Sequence, residues 1–215
     1  MRDLERFTYE IDPISSFQIK YDSAVKDEKC PYQVIVDQNQ ILNILNTLGV
    51  DKKQARKLTI KLIDNDIITP DGRSAGASYG GSTIYISAGT CWRFLINELN
   101  KIDAILEKQG LSEEAYSTTK ASTHEAISAR IQQEVDDGTV HELCHFSRDV
   151  LEKNRIVQLF KRMNFSGIGK IIRHRATTFT PQGVADEEQA TDNLAQIIKQ
   201  NHQYKNIITV IPRHI

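Results

Sequence analysis

Apolar residues recur along this chain with two periods, and the change from one to the other falls near residue 90. Before it the period is two. Phe7-Thr-Tyr-Glu-Ile11 and Phe17-Gln-Ile-Lys-Tyr21 alternate, Tyr32-Gln-Val-Ile-Val36 is a short apolar run, and Lys57-Leu-Thr-Ile-Lys-Leu-Ile63 alternates again. All four predict strands, because side chains in a strand point to opposite faces in turn. One helix interrupts them: Ile41, Leu42, Ile44, Leu45 and Leu48 lie at helical spacing within Asn39 to Leu48, and Gly49 closes it. Asp64-Asn65-Asp66 and Pro70-Asp71-Gly72 mark turns, and the glycines between Gly76 and Gly89 predict a turn ahead of a further strand, Ser82 to Ser87.

After Thr90 the period becomes helical. Trp92, Leu95, Ile96, Leu99, Ile102, Ile105 and Leu106 form one stripe that stops at Gly110. Ser112, followed by Glu113 and Glu114, opens a second helix running to about Glu134. A third carries Val140, Leu143, Cys144, Ser147, Val150 and Leu151 on one face, with Asp136 and Asp137 as candidate N-caps. Helical pattern continues around Ile156 to Met163 and Ile168 to Ile172, breaks at Thr177-Thr-Phe-Thr-Pro181, and resumes from Ala185 to Gln200 with Leu194, Ile197 and Ile198 toward a core. Strands first and helices afterwards predict an α+β fold. We expect a single domain over 1–215: a small twisted sheet from residues 1–90 packed on a mainly helical part, residues 91–215.

Composition narrows the partners. A net charge of −1, from 27 basic and 28 acidic residues, gives no general attraction to nucleic acid or to an anionic membrane. No segment approaches 18 uninterrupted apolar residues, and Met-Arg-Asp-Leu-Glu-Arg at the start lacks the apolar run of a signal peptide, so the expected location is cytoplasmic. Cys30, Cys91 and Cys144 contain no CxxC pair, which argues against a disulfide framework or a structural zinc ribbon. Neither the 76–89 glycines nor Ser166-Gly-Ile-Gly-Lys170 matches a nucleotide-phosphate loop. Oligomeric state is not encoded in any of these features.

One stretch carries chemistry. Thr139-Val-His-Glu-Leu-Cys-His-Phe146 contains His-Glu-x-x-His. On a helix, residues four apart share a face, so His141 and His145 can grip one Zn²⁺ while Glu142 reaches a metal-bound water as general base. Cys144 falls on the apolar flank with Val140 and Ser147 and is read as a buried small residue rather than a ligand. A further protein ligand is needed. Glu188 and Asp192, four apart near the start of the last helix, share a face: one can ligate while the other accepts the second ring N–H of a liganding histidine.

His-Glu-x-x-His followed by Glu188-Gln-Ala-Thr-Asp-Asn-Leu-Ala195 resembles the gluzincin metallopeptidases, whose later helix reads Glu-x-x-Ala-Asp-x-x-Ala; here Thr191 stands in place of the first Ala. The resemblance implies a zincin-like fold and Zn²⁺ held by His141, His145 and Glu188. It implies Glu142 as general base, Asp192 as the support behind a ligand, and hydrolysis of a peptide or protein substrate. Glu187 is the nearest rival to Glu188. His174 is a rival third imidazole, which would be similar to SprT-like DNA-associated proteases, but it is followed by Arg175 rather than Gly and no four-cysteine ribbon is present. His174 or Tyr85 is a candidate for the oxyanion or substrate contact, and strand 82–87 for the edge on which an extended peptide pairs. The other class of reading is a zincin-like module that binds zinc or a partner without turnover.

Overall fold

A computed structural model of the chain describes residues 7–10, 17–68, 72–162, 181–201 and 204–213. Its centre is a five-stranded sheet ordered β1-β2-β4-β8-β7, from β1 (Phe7–Glu10), β2 (Gln18–Asp22), β4 (Thr59–Ile63), β7 (Ala77–Gly80) and β8 (Thr83–Ser87). β2, β4 and β8 run parallel, while β1 and β7 close the two edges antiparallel. Alternation decides the faces. Ile19, Tyr21, Ile60, Leu62, Ile84 and Ile86 point into the core, and Lys20, Lys61 and Tyr85 point to the other side. The strands predicted at 7–11, 17–21, 57–63 and 82–87 thus all form. The expected mixed fold, a small sheet with mostly helices, is what is found.

Tyr32–Val36, β3, does not join that sheet. It pairs antiparallel with β9 (Ile208–Pro212), a segment for which the periodicity above predicts no element. A further two-stranded piece joins β5 (Ile67–Ile68) to β6 (Ser74–Ala75). Short helices α1 (Ser23–Lys26) and α3 (Lys52–Ala55) and the predicted α2 (Gln38–Thr47) surround the parallel strands. The edge assignment is corrected: strand 82–87 lies inside the sheet, between β4 and β7, so the outer edge belongs to β7.

Helix α4 (Ala88–Glu107) starts from an N-cap at Ser87, whose hydroxyl accepts the Thr90 N–H. α5 (Glu113–Arg162) is 50 residues long and absorbs the second and third predicted helices and residues 156–162 of the segment predicted at 156–163. Asp136 and Asp137 are therefore not N-caps. Asp136 is 1% exposed in mid-helix, where its carboxylate accepts the backbone N–H groups of Asn206 and Ile207, each at 2.8 Å, and the Gln132 side-chain amide at 3.1 Å. It spends its acceptor capacity on the approach to β9, not on a helix start. Burial pushes its carboxyl above the usual range against the pull of those donors. Asp137 accepts from the Tyr204 hydroxyl at 3.2 Å and pairs with Lys199 at 2.8 Å.

Val140, Leu143, Cys144, Phe146 and Val150 of α5 complete the core against the sheet. Full burial of each such large side chain contributes roughly 1.5–3 kcal/mol. Cys144 is fully buried, as its place on the apolar stripe requires. The last helix, α6 (Pro181–Asn201), packs on α5 through Ala195 and Ile198, while Ile197 is exposed. The segment predicted helical at 168–172 and the break at 177–181 lie outside the described residues, the helical Pro181 excepted. No helix among the described residues is long and apolar enough to cross a membrane.

Candidate metal centre

The two imidazoles stand one turn apart on α5, and α6 brings Glu188 over them. His141 Nε2 and His145 Nε2 are 3.0 Å apart; Glu188 Oε2 lies 3.3 Å from the first and 3.4 Å from the second. His141, His145 and Glu188 thus form a group able to hold a metal ion. The same helix turns its neighbouring face inward, so Leu143 and Cys144 lock the register of the histidines into the core.

Proton positions, assigned from the partners of each ring, show why the group suits a cation. His141 Nδ1 lies 3.1 Å from Asp192 Oδ1, and a carboxylate can only accept, so Nδ1 carries the proton. His145 Nδ1 lies 3.3 Å from the Thr191 hydroxyl, which can donate or accept, and 3.5 Å from Glu187 Oε1, which can only accept and so favours the same tautomer. Both Nε2 atoms then present bare lone pairs to each other and to a carboxylate oxygen. Three acceptors facing one another at this range repel unless a positive charge sits among them. Tetrahedral ligands at roughly 2.0–2.1 Å from a zinc ion stand about 3.3–3.4 Å apart, close to the triangle observed. Burial lowers the pKa of His145, favouring the neutral imidazole that ligation needs.

Glu142 sits beside this triangle and is 9% exposed. Its carboxylate accepts a hydrogen bond from the Tyr79 backbone N–H on edge strand β7. Burial pushes its pKa up to about 7, and the negative charge of Glu188 pushes the same way. A divalent cation at the triangle would act oppositely on Glu142 and favour its ionised form.

Three residues that the motifs did not reveal complete the surroundings. The Tyr79 ring lies parallel to His145 at 6.1 Å between centroids, with its hydroxyl donating to Asp149 Oδ2 at 2.9 Å. Thr191, the departure from the gluzincin-like pattern, is fully buried and supplies the hydroxyl facing His145. Arg148 lies three residues after His145, within reach of Glu187 and Thr191. The only sequence signals for them were spacing: Arg148 one turn from a ligand, and Thr191 between two acids.

Of the residues named from sequence, His141, Glu142, His145, Glu188 and Asp192 come together. Glu187 stands beside the group, not in it. Tyr85 does not come to the site. It lies on the sheet face away from α5, with the Lys61 ammonium 5.3 Å over its ring, and strand alternation gives the place beside the histidines to Tyr79 instead. His174 lies outside the described residues. His124, which is followed by Glu125 but has Ser128 four residues on, is bonded to Asp103 at 2.7 Å between α5 and α4. Comparison of the chain with protein-family models, with characterised proteins and with solved structures yields no match.

Proposed function

We propose that this chain is a zinc-dependent peptidase of the zincin type, with a gluzincin-like ligand set, acting on a peptide or protein substrate. The observation that carries the reading is the triangle of two bare imidazole nitrogens and one carboxylate oxygen, with a second, buried carboxylate, Glu142, on the helix that carries the imidazoles. A site that only stores an ion has no use for that second acid. Zinc is favoured over magnesium or calcium because two of three donors are imidazoles.

When bound, Zn²⁺ supplies a Lewis acid that polarises a carbonyl and acidifies water. The remaining work falls to the chain. Glu142 takes the proton of the water attacking the carbonyl carbon and delivers it to the leaving nitrogen as the C–N bond breaks. The Tyr79 N–H holds that carboxylate at the edge strand, in reach of a substrate lying along β7. Asp192, Thr191 and Glu187 accept the Nδ1–H groups of the two histidines and keep both Nε2 atoms turned inward.

Strand β7 supports an extended peptide as the substrate form. Gly76 O accepts the Ser87 N–H at 2.8 Å, so alternation turns the backbone groups of Ala77 and Tyr79 away from β8; the Tyr79 N–H is taken by Glu142, which leaves the Ala77 N–H and C=O and the Tyr79 C=O for pairing. A peptide can add there by backbone pairing. The balanced net charge also favours a peptide over nucleic acid, and nothing about the site calls for a membrane.

The test is hydrolysis of a mixed peptide library by the wild type and by Glu142→Gln, with zinc quantified in both. Cleavage by the wild type, lost by at least about 100-fold in the variant while zinc is retained, is the expected result. Zinc retained in both with cleavage in neither would overturn the peptidase reading and favour a binding module.

A further inference from the structure

Glu188 is half-exposed on a helix separated from the histidines by more than forty residues, and its neighbour Glu187 is an equally long acid one position away. Something must choose between them. Arg148 makes three contacts that do so. Its guanidinium donates to the Glu187 backbone carbonyl at 3.0 Å, to Glu187 Oε2 at 3.1 Å and to the Thr191 hydroxyl at 3.2 Å. The first ties the helix backbone of α6 to α5 directly, one turn beyond His145. The second draws the Glu187 carboxylate to the outer side of His145, where its other oxygen faces Nδ1 at 3.5 Å. The third holds Thr191 where it faces the same Nδ1 at 3.3 Å.

We propose that Arg148 is a positioning residue of the metal centre: it clamps α6 onto α5 so that Glu188 alone reaches the ion, and it holds the two acceptors that orient His145. The inference rests on the metal-binding part of the function proposed above, not on peptide hydrolysis. Geometry explains why the residue is arginine. A planar fork can hold a carboxylate, a carbonyl and a hydroxyl at once from fixed directions, whereas a lysine offers one compact charge. The guanidinium also neutralises Glu187, removing the charge that would otherwise draw this acid to the ion in competition with Glu188. Thr191 has its place in the same device. An alanine there would leave His145 Nδ1 with the longer contact only and Arg148 with one partner fewer.

The experiment compares Arg148→Gln, Arg148→Lys, Thr191→Val and Thr191→Ser with the wild type. Competition titration with a chelator reads Zn²⁺ affinity, the visible absorption of the Co²⁺-loaded proteins reads the ligand shell, and the melting temperature of the metal-free proteins reads the fold. Arg148→Gln and Thr191→Val are expected to lose ~10–100-fold in affinity. Arg148→Lys falls between, and Thr191→Ser stays near the wild type. The Co²⁺ spectrum of Arg148→Gln changes as Glu187 enters or Glu188 leaves the shell. A residue that merely glues two helices would lower the metal-free melting temperature of Arg148→Gln and leave the spectrum unchanged; that result, or unchanged affinity, overturns the inference while leaving the metal centre intact. A wild type that binds neither ion overturns both. Wild type that binds zinc without cleaving peptides, with the affinity ranking above, supports the inference and removes the peptidase reading alone.

Discussion

At the scale of single residues, the centre depends on two bare nitrogens and one oxygen, and each has a different reserve behind it. His145 is mostly buried, with its Nδ1 bonded on the α6 side, so His145→Ala removes a ligand that no neighbour can replace. Stoichiometric zinc binding is expected to disappear, as read by metal analysis after dialysis. Asp192 works through His141: Asp192→Asn can turn its amide NH₂ toward Nδ1 and favour the wrong tautomer, and zinc affinity should drop ~10–100-fold with the metal-free fold unchanged. Cys144→Ala tests the opposite expectation. Cys144 is fully buried on the core side, so the variant loses roughly 1–2 kcal/mol of stability by denaturant titration and keeps its zinc. Loss of zinc there would show that the thiol had been misread. The histidine pair was legible in the sequence because four-residue spacing on a helix is a local fact. Thr191 looked like a defect in the pattern, since its use depends on where Arg148 of another helix stands.

Elements are legible as far as periodicity is local, and the errors lie where tertiary partners decide. Asp136 looked like a helix start because an acid ahead of an apolar stripe usually is one. Its donors come instead from Asn206 and Ile207, 70 and 71 residues away, which no window on the sequence reveals. Asp136→Ala would strand two backbone N–H groups and should cost ~2–4 kcal/mol of unfolding free energy. The sign of its pH dependence also follows. Burial raises the folded-state pKa of Asp136, so the folded chain binds the proton more tightly than the unfolded one. Its contribution to stability therefore falls as pH rises from the ordinary carboxylate range to the raised value, and is flat above. Measured against Asp136→Asn, the wild type should lose relative stability across that window on going to higher pH. Gly89 illustrates a second limit. In the first turn of α4 alanine would ordinarily be the better residue, but a Cβ there would collide with the Asp64 backbone carbonyl and side chain. Gly89→Ala should destabilise by ~1–3 kcal/mol, against its helix propensity.

Over the whole molecule, the sequence indicated a strand-rich first part and a helical second part, and it did not indicate the order of strands. Edge and interior strands carry similar alternation when only one face is buried, so strand 82–87 looked like an edge until β7 was seen outside it. β3 left the sheet because Ile208–Pro212 pairs with it from the far end of the chain. The same kind of long-range closure would make a metal ion held by His141, His145 and Glu188 a joint between α5 and α6. An ion that binds only the folded chain stabilises it by RT ln(1 + [L]/Kd), about 2.7 kcal/mol at a hundred times Kd. For a chain of this size that corresponds to roughly 5–10 °C in melting temperature. Chelation of the zinc-loaded protein should produce that drop, and Glu188→Gln should show a markedly smaller one in calorimetry.

The central claim is one coordination shell, and X-ray absorption at the zinc edge of the zinc-loaded wild-type chain probes it most directly. The predicted spectrum fits two imidazole nitrogens at ~2.0–2.1 Å with oxygen completing a four-coordinate shell, and it loses one oxygen scatterer's worth of order in Glu188→Ala. A chain that takes up no zinc, or a shell without imidazole scattering, would contradict it.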